Sequence, residues 1–271
     1  MLDTYFFIPA NRPEFLKKIP SINADVFVID MEDTVDQSEW DSSISNIKKY
    51  TEIDSHYIRP NLFENGRFSL NLLKDLISNN AKYFIFPKLS ELSQVNEIFK
   101  LNGICKSIIL VETPKMLLSL KDVISNHNIH GVGFGSNDFS MYTGIKDSSE
   151  YMNYFRIKLK MIALEFDITL IDTASMNLYD DKAFKRECIN AFNLGFDGKF
   201  LIHPNQLLML QSTEFFSDEE VQWAIEVMKF LESYPESEIK AHKINGQVLE
   251  KPHYKKLQNI KKYLNFKNQS I

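Results

Sequence analysis

Short apolar runs along the chain each end near a polar or charged side chain, and longer segments with apolar residues at helical spacing lie between them. The runs are rich in Val, Ile and Phe, which is typical of buried parallel strands. They are Tyr5–Pro9, Val26–Ile29, Tyr57–Ile58, Tyr83–Pro87, Ile108–Val111, Gly131–Phe134, Ile168–Ile171 and Lys199–Ile202. Eight strand–helix units predict an α/β fold, a TIM (β/α)8 barrel, whose functional residues lie at the carboxyl ends of the strands.

The segments between the runs are predicted to be helices, several of which start at a proline or a capping residue such as Thr113 or Asp180. These helices are Glu14–Ile19, Ser38–Tyr50, Phe68–Asn79, Glu91–Lys100, Pro114–Ser125, Ser149–Phe166, Lys182–Asn193 and Asn205–Gln211. A further helix over Asp218–Glu232 precedes a polar stretch that contains Pro235. We therefore predict a barrel domain over 1–232, and a linker with a short C-terminal arm over 233–271.

Composition narrows the function classes. The chain has 271 residues, close to the ~250 of a typical single barrel. Its net charge of -5 disfavours a nucleic-acid partner. Two cysteines, Cys105 and Cys188, are too few for a disulfide framework, and no run approaches the ~18 apolar residues of a membrane span. We expect a cytoplasmic protein with no membrane partner.

Eight short motifs, in the right order and spacing over about residues 5–232, resemble the citrate lyase beta-subunit family. This family comprises the CoA-ester lyases of the HpcH/HpaI aldolase superfamily. The motifs are F-I-P-A-N-R-P-E, V-I-D-M-E-D-T-V, I-R-P-N, F-P-K, V-E-T-P, G-F-G-S-N-D-F, G-F-D-G-K and I-H-P-N-Q. The resemblance implies a barrel that depends on Mg2+ or Mn2+. It also implies carbon–carbon bond cleavage or formation between a 2-oxo acid and the enolate of an acyl-CoA, and a homo-oligomer, a trimer.

Two acids are the candidate metal ligands. Such a cleavage must stabilise an enolate, which calls for a Lewis acid and a fixed cation near the developing oxyanion. Glu112 and Asp138 follow consecutive strands and would point into the same barrel mouth, and Mg2+ is usually held by one or two carboxylates. Both residues also match the metal-binding acids of the family motifs. The alternative is that each acid caps a helix or forms a salt bridge.

Arg59 ends the third strand, and a guanidinium there offers a permanent charge with a planar fork of donors. By resemblance, Arg59 lies against the 2-oxo acid and the carbonyl of the reacting thioester. An ion pair with Glu32 or Asp33 is the alternative, and both could hold. The resemblance places Glu32 and Asp33 near the metal, where they would hold metal-bound waters and Arg59. Asp30 could join them or be a buried structural acid.

The resemblance assigns Asn11, Arg12 and Lys88 to the CoA side of the site, because phosphates are drawn to basic side chains at the barrel rim. Lys88 could instead form a salt bridge with an acid such as Glu112. His203 also matches a family motif, but a histidine that precedes a proline at a strand end favours a role in orienting a loop.

The C-terminal arm departs from the family pattern. Where the family has a lid motif D-G-x-M-I-D-x-P with a catalytic aspartate, this chain has N-G-Q-V-L-E-K-P, which places Glu250 at the aspartate position. We expect Glu250 to act as acid or base in a neighbouring subunit, with 233–243 as a tether. An arm packed on its own barrel is the alternative.

The leading hypothesis is therefore a Mg2+-dependent lyase that cleaves or forms a 3-hydroxyacyl-CoA such as citryl-, malyl- or citramalyl-CoA. Two alternatives stay open at this point. One is a metal-dependent aldolase that acts on a small oxo acid without CoA. The other is a non-catalytic barrel subunit that binds a metabolite or a partner enzyme.

Overall fold

Eight parallel strands form a closed barrel in the computed structural model, which describes residues 1–147, 150–232, 242–244, 247–249 and 251–269. The strands are β1 (Asp3–Pro9), β2 (Val26–Met31), β3 (Tyr57–Pro60), β4 (Tyr83–Phe86), β5 (Lys106–Val111), β6 (Gly131–Phe134), β7 (Thr169–Asp172) and β8 (Gly198–Leu201). Each strand pairs with the next along the chain, and β8 closes the barrel against β1. The predicted barrel is confirmed.

Helices follow the strands and cover the outside of the barrel. They are α1 (Pro13–Leu16), α2 (Trp40–Tyr50), α3 (Asn71–Ser78), α4 (Leu92–Ile98), α5 (Pro114–Asn126), α6 (Ser136–Thr143), α7 (Met152–Phe166), α8 (Asp181–Asn193) and α9 (Pro204–Gln211). The sequence pattern did not predict α6, which follows β6 after a single residue. Small hairpin strands, Phe63–Glu64 and Arg67–Phe68, lie between β3 and α3.

Capping side chains begin several of these helices at the expected positions. The Thr113 hydroxyl accepts a hydrogen bond from the Met116 amide at 3.1 Å, and proline follows Thr113 at the first helical position. Asp180 accepts from the Ala183 amide at 2.9 Å in the same way. Each cap ends the loop that connects a strand to the next helix. The residues at the end of the preceding strand are therefore held close to the mouth of the barrel.

The barrel interior is filled by large side chains that alternate with glycines. A buried cluster of apolar residues occupies it: Tyr5, Val28, Ile85, Ile108, Leu110, Ile171 and Phe200. A Cβ at Gly133 would lie 2.5 Å from Leu110 and 2.7 Å from Phe200, so only glycine leaves room for both side chains. These apolar side chains close the barrel interior beneath the residues at its mouth.

The chain consists of two compact units, one over 2–212 and one formed by Met1 with 213–271. In the second unit, α10 (Asp218–Glu232) packs on α11 (Lys251–Gln269) through Ala224, Val227, Leu257 and Ile260. Strands His242–Ile244 and Gln247–Leu249 pair as an antiparallel hairpin. The helix of the predicted arm thus packs on a helix of its own chain. The division at residue 232 stays a prediction.

None of the helices in the described part of the chain has both the length and the apolar content that crossing a membrane requires.

Candidate active site

The largest concentration of predicted site residues lines a cavity of about 300 Å3 at the carboxyl ends of the strands. Its charged lining residues are Asp30, Asp33, Arg59, Glu112 and Asp138. Its apolar lining comes from Phe7, Leu110, Phe134, Met176, Phe200 and Ile202. The cavity therefore places ionisable side chains above an apolar floor. Such an environment strengthens electrostatic interactions.

Arg59 and Asp30 form a bidentate ion pair on adjacent strands, where the two residues are direct register partners. Arg59 Nε donates to Asp30 Oδ1 at 2.7 Å, and Arg59 Nη2 donates to Oδ2 at 2.9 Å. Thr34 Oγ1 and the Glu32 amide also donate to the Asp30 carboxylate. The guanidinium lies 4.7 Å from the centre of the Phe7 ring. Arg59 is thus held in one place. Burial would lower its pKa, but the negative charges of Asp30, Glu32 and Asp33 raise it, so the guanidinium stays charged.

Glu32 and Asp33 neutralise the second cation of the site. Lys88 Nζ lies 2.6 Å from Glu32 Oε1 and 2.5 Å from Asp33 Oδ1. Glu32 also contacts Arg59 Nη1 at 3.1 Å. The expected ion pairs of Arg59 with these acids are present, although Asp33 is the more distant at 3.9 Å. The Lys88 ammonium pairs with these two acids, whereas the sequence had suggested Glu112 as its acid.

Glu112 is buried directly after β5 with one strong hydrogen bond. The Lys88 backbone amide donates to Glu112 Oε2 at 2.6 Å, and Lys88 has a left-handed φ of 53° that presents this amide. Burial, together with the negative charges of Glu32 and Asp138, raises the pKa of Glu112 to about 8. Ionised Glu112 therefore needs a positive partner that Arg59 and Lys88, paired elsewhere, supply only in part.

The sequence had suggested that Asp138 lies at a strand end. In the structure it lies in the first turn of α6. The amino end of a helix favours a negative side chain, so the position suits an ionised carboxylate. Gly135 joins β6 to α6, and a Cβ there would overlap the Glu112 side chain. Glycine thus lets the loop that carries Asp138 come close to Glu112. Both acids line the same cavity.

The remaining predicted residues lie farther from this centre. Asn11 Nδ2 donates to the Thr34 carbonyl at 3.1 Å and to Glu39 at 3.0 Å, so its amide fixes the neighbouring loop. Arg12 is exposed at the start of α1. His203 caps α9, where Nδ1 accepts from the Asn205 amide at 3.1 Å. Glu250 lies outside the described residues.

Sequence reasoning left Asp30 undecided between a place beside Glu32 and Asp33 and a role as a buried structural acid, and it did not consider Gly135. The motif D-M-E-D contained a signal for Asp30, because residues two apart on a strand point to the same face. Thr173 and Ala174 after β7 also line the cavity and had not been considered.

The site can hold a divalent cation between Glu112 and Asp138. Among the described residues, no three His, Cys, Asp or Glu side chains converge as a closed metal cage. Two carboxylates fit Mg2+ nevertheless, since it commonly keeps waters or substrate oxygens in its other positions. Burial and neighbouring negative charge raise the pKa of Glu112, and a cation bound beside it would lower that pKa.

Comparisons with known proteins identify the family of the chain. The family model for HpcH/HpaI aldolase/citrate lyase matches residues 3–204. The mitochondrial citramalyl-CoA lyase of Homo sapiens is 26% identical over 281 residues, which cover 93% of this chain and 82% of that protein. The citrate lyase subunit beta of Leuconostoc mesenteroides subsp. cremoris is 23% identical, with 97% of this chain and 93% of that protein covered.

A solved structure extends the similarity to the fold. The crystal structure of the protein CitE from Mycobacterium tuberculosis in complex with magnesium, acetoacetate and coenzyme A superposes with a TM-score of 0.76 at 21% identity. The match covers 98% of this chain and 97% of that one. Because the family model spans well over half of the residues, this chain belongs to the HpcH/HpaI aldolase/citrate lyase family.

Proposed function

We propose that this chain is a Mg2+-dependent carbon–carbon lyase that converts a 3-hydroxyacyl-CoA, such as citryl-, malyl- or citramalyl-CoA, into an acyl-CoA and a 2-oxo acid, or catalyses the reverse. The observation that carries the proposal is the pairing, in one cavity, of Glu112 and Asp138 with the fixed guanidinium of Arg59. The names of the human and Leuconostoc relatives support the choice of reaction.

Glu112 and Asp138 would hold the Mg2+, with Mn2+ as a substitute. Bound there, the cation would polarise the oxygens of the 2-oxo acid and offset negative charge on the enolate. Glu32 and Asp33 would orient water near the cation while they pair with Lys88. Arg59 would donate to the oxygen on which enolate charge develops, since Asp30 keeps the guanidinium from turning away.

Cavity size supports a division between the reacting groups and the nucleotide. A volume of about 300 Å3 is at the low end for ligand pockets, so it suits a small oxo acid and the acyl end of the thioester. The rest of CoA would lie along the rim. Exposed Arg12 is our candidate for a CoA phosphate, while Asn11 would shape its loop and Lys88 would add positive charge.

We also propose a homotrimer in which Glu250 of one subunit serves as acid or base at the cavity of the next. An apolar face formed by α7 and the residue before it supports self-association, because contiguous exposed apolar patches often mark interaction sites. The face consists of Tyr151, Tyr154, Ile157, Met161 and Leu164. A cytoplasmic location is proposed with it, supported by the free thiols of Cys105 and Cys188.

The first prediction is the reaction itself. Incubation of the protein with citryl-, malyl- and citramalyl-CoA and Mg2+ should release a 2-oxo acid and an acyl-CoA from at least one of them, measured by mass spectrometry. The double variant Glu112→Ala with Asp138→Ala should remain folded but lose the reaction and the calorimetric signal of metal binding. Unchanged metal affinity in this variant would exclude these two ligands. Cleavage of CoA-free hydroxy-oxo acids alone would favour the aldolase alternative.

The second prediction concerns stability and pH in the absence of added cations. The folded-state pKa of Glu112, about 8, lies above the ordinary value of 4.5. The unfolded chain therefore loses its proton first, and stability falls as pH rises from 4.5 through 8. Glu112→Gln removes this dependence. Between pH 6 and 8.5 with EDTA, the melting temperature of the parent should fall by several degrees relative to that of the variant, a loss of roughly 1–3 kcal/mol.

Parallel melting curves for the two proteins over that pH range would contradict the raised pKa. Glu97→Gln is the matched control, because Glu97 is exposed on α4 and the same substitution there should leave the pH dependence of the parent unchanged. Addition of Mg2+ should raise the melting temperature of the parent and have little effect on Glu112→Gln.

The third prediction tests Arg59. Arg59→Lys should lower turnover by about a hundred-fold or more, because one ammonium cannot both pair with Asp30 in two places and donate to substrate. Arg67→Lys, at an exposed position, is the control and should keep parental kinetics. Near-parental turnover of Arg59→Lys on the identified substrate would disprove the role.

The fourth prediction tests the shared site. Arg59→Ala and Glu250→Gln should each be inactive, and a mixture of the two under subunit-exchange conditions should regain part of the activity. Light scattering should give the mass of a trimer. A monomer, or no recovery between variants that demonstrably exchange subunits, would count against the proposal.

A further inference from the structure

A second group of charged side chains is buried behind the barrel wall. Asp172 at the end of β7 is 2% exposed, and Lys199 on β8 is fully buried. Lys199 Nζ donates to Asp172 Oδ2 at 2.8 Å, and Arg156 Nε on α7 donates to Asp172 Oδ1 at 3.0 Å. We call these three residues the rear network. Both cations therefore bind the same buried carboxylate, one at each oxygen.

The rear network lies on the helix side of the wall. Phe200 belongs to the interior cluster, and side chains alternate along a strand, so the preceding Lys199 points outward. Its ammonium lies 5.9 Å from the ring of Phe184 on α8. Lys199 therefore cannot touch a substrate in the cavity. Any influence on the reaction must pass through the residues that it holds.

Stability alone is a weak reason for such a network. Buried charges lose their hydration, and well-packed apolar side chains of similar volume often stabilise a protein at least as well. Burial would raise the pKa of Asp172, but Lys199 and Arg156 hold it below its ordinary value, so the carboxylate is ionised. A fully ionised network at this position points to a demand for fixed geometry.

One connection runs from Lys199 to the helix that carries Asp138. Lys199 Nζ also donates to the Thr173 carbonyl at 2.9 Å. Thr173 Oγ1 in turn accepts from the amide of Ser136, the first residue of α6, at 3.3 Å. Asp138 follows two residues later. Two hydrogen bonds thus link the buried ammonium to the first turn of α6.

A second connection runs through Arg156. Its guanidinium lies 5.4 Å from the centre of the Phe134 ring, at the end of β6. Phe134 immediately precedes Gly135, the residue that packs against Glu112. The rear network therefore supports the β6–α6 connection, residues 134–138, at two places: at Phe134 through Arg156, and at Ser136 through Thr173.

We propose that Lys199 is a positioning residue: with Asp172 and Arg156 it holds the β6–α6 connection at the place where Asp138 and Glu112 can bind the same cation. This inference rests on the proposed function, because it takes these two acids as the metal ligands. It adds a residue outside the cavity to the determinants of metal affinity. The effect reaches Asp138 through Thr173 and Ser136 and requires no contact with substrate.

Lys199→Met tests the proposal, since methionine has a similar length but no charge. At a temperature where circular dichroism shows the variant fully folded, its affinity for Mn2+, measured by electron paramagnetic resonance, should be about tenfold weaker than that of the parent. In the metal-free protein, amide hydrogen exchange within residues 134–143 should be about tenfold faster, with β1–β3 unchanged.

Ile162→Ala is the control for general destabilisation, because Ile162 is buried on α7 but lies outside the rear network. It should lower the melting temperature and leave both Mn2+ affinity and exchange in 134–143 at parental values. If Lys199→Met does not fold, Thr173→Val removes the acceptor for the Ser136 amide while it keeps the rear network intact. It should show the same two changes.

The two readouts separate the possible failures. Folded Lys199→Met or Thr173→Val with parental exchange in 134–143 would overturn the positioning role, as would equal effects in Ile162→Ala. If Glu112→Gln does not weaken Mn2+ binding, the proposed metal site is wrong, and hydrogen exchange alone then decides whether Lys199 positions the connection. Faster exchange confined to 134–143 would support it in that case.

Discussion

The bidentate ion pair between Arg59 and Asp30 is the interaction on which the rest of the site depends. Neighbouring parallel strands bring the two residues into direct register, so the barrel fixes their separation. Asp30 is held in turn by Thr34 and by the Glu32 amide. Since the guanidinium is bound in two places, it cannot swing toward Glu112 to neutralise it. A permanent positive charge is thereby held at a fixed place in the cavity wall.

This constraint explains the charge distribution in the cavity. Asp30 takes up Arg59, and Glu32 with Asp33 takes up Lys88. Among the described residues, Glu112 is then left with a hydrogen bond from the Lys88 backbone amide, and burial with the nearby acids raises its pKa to about 8. The divalent cation that we propose between Glu112 and Asp138 would complement this arrangement, because it would leave both ion pairs in place.

The sequence predicted the barrel and the acids at its mouth because strand and helix periodicities differ and strand ends converge. It did not predict α6, since Gly135, Ser136 and Asn137 are residue types that are common in loops. The hydrogen bond from the Lys88 backbone amide to Glu112 depends on a left-handed backbone conformation that no local pattern specifies. The Lys199–Asp172 pair was likewise not foreseen. It requires both the neighbouring positions of β7 and β8 and the outward direction of each side chain.

The position of the rear network on the helix side of the wall has a physical reason. An additional ammonium inside the cavity would pair with Glu112 or Asp138, and at a low effective dielectric constant that attraction would compete with a bound cation. With Lys199 outside the wall, its charge is satisfied by Asp172 and the Thr173 carbonyl. The connection that carries Asp138 is then fixed by a charged group that would not occupy the proposed metal site. The β7–β8 strand pair thus lines the cavity on one face and, on the other face, anchors the connection that carries Asp138.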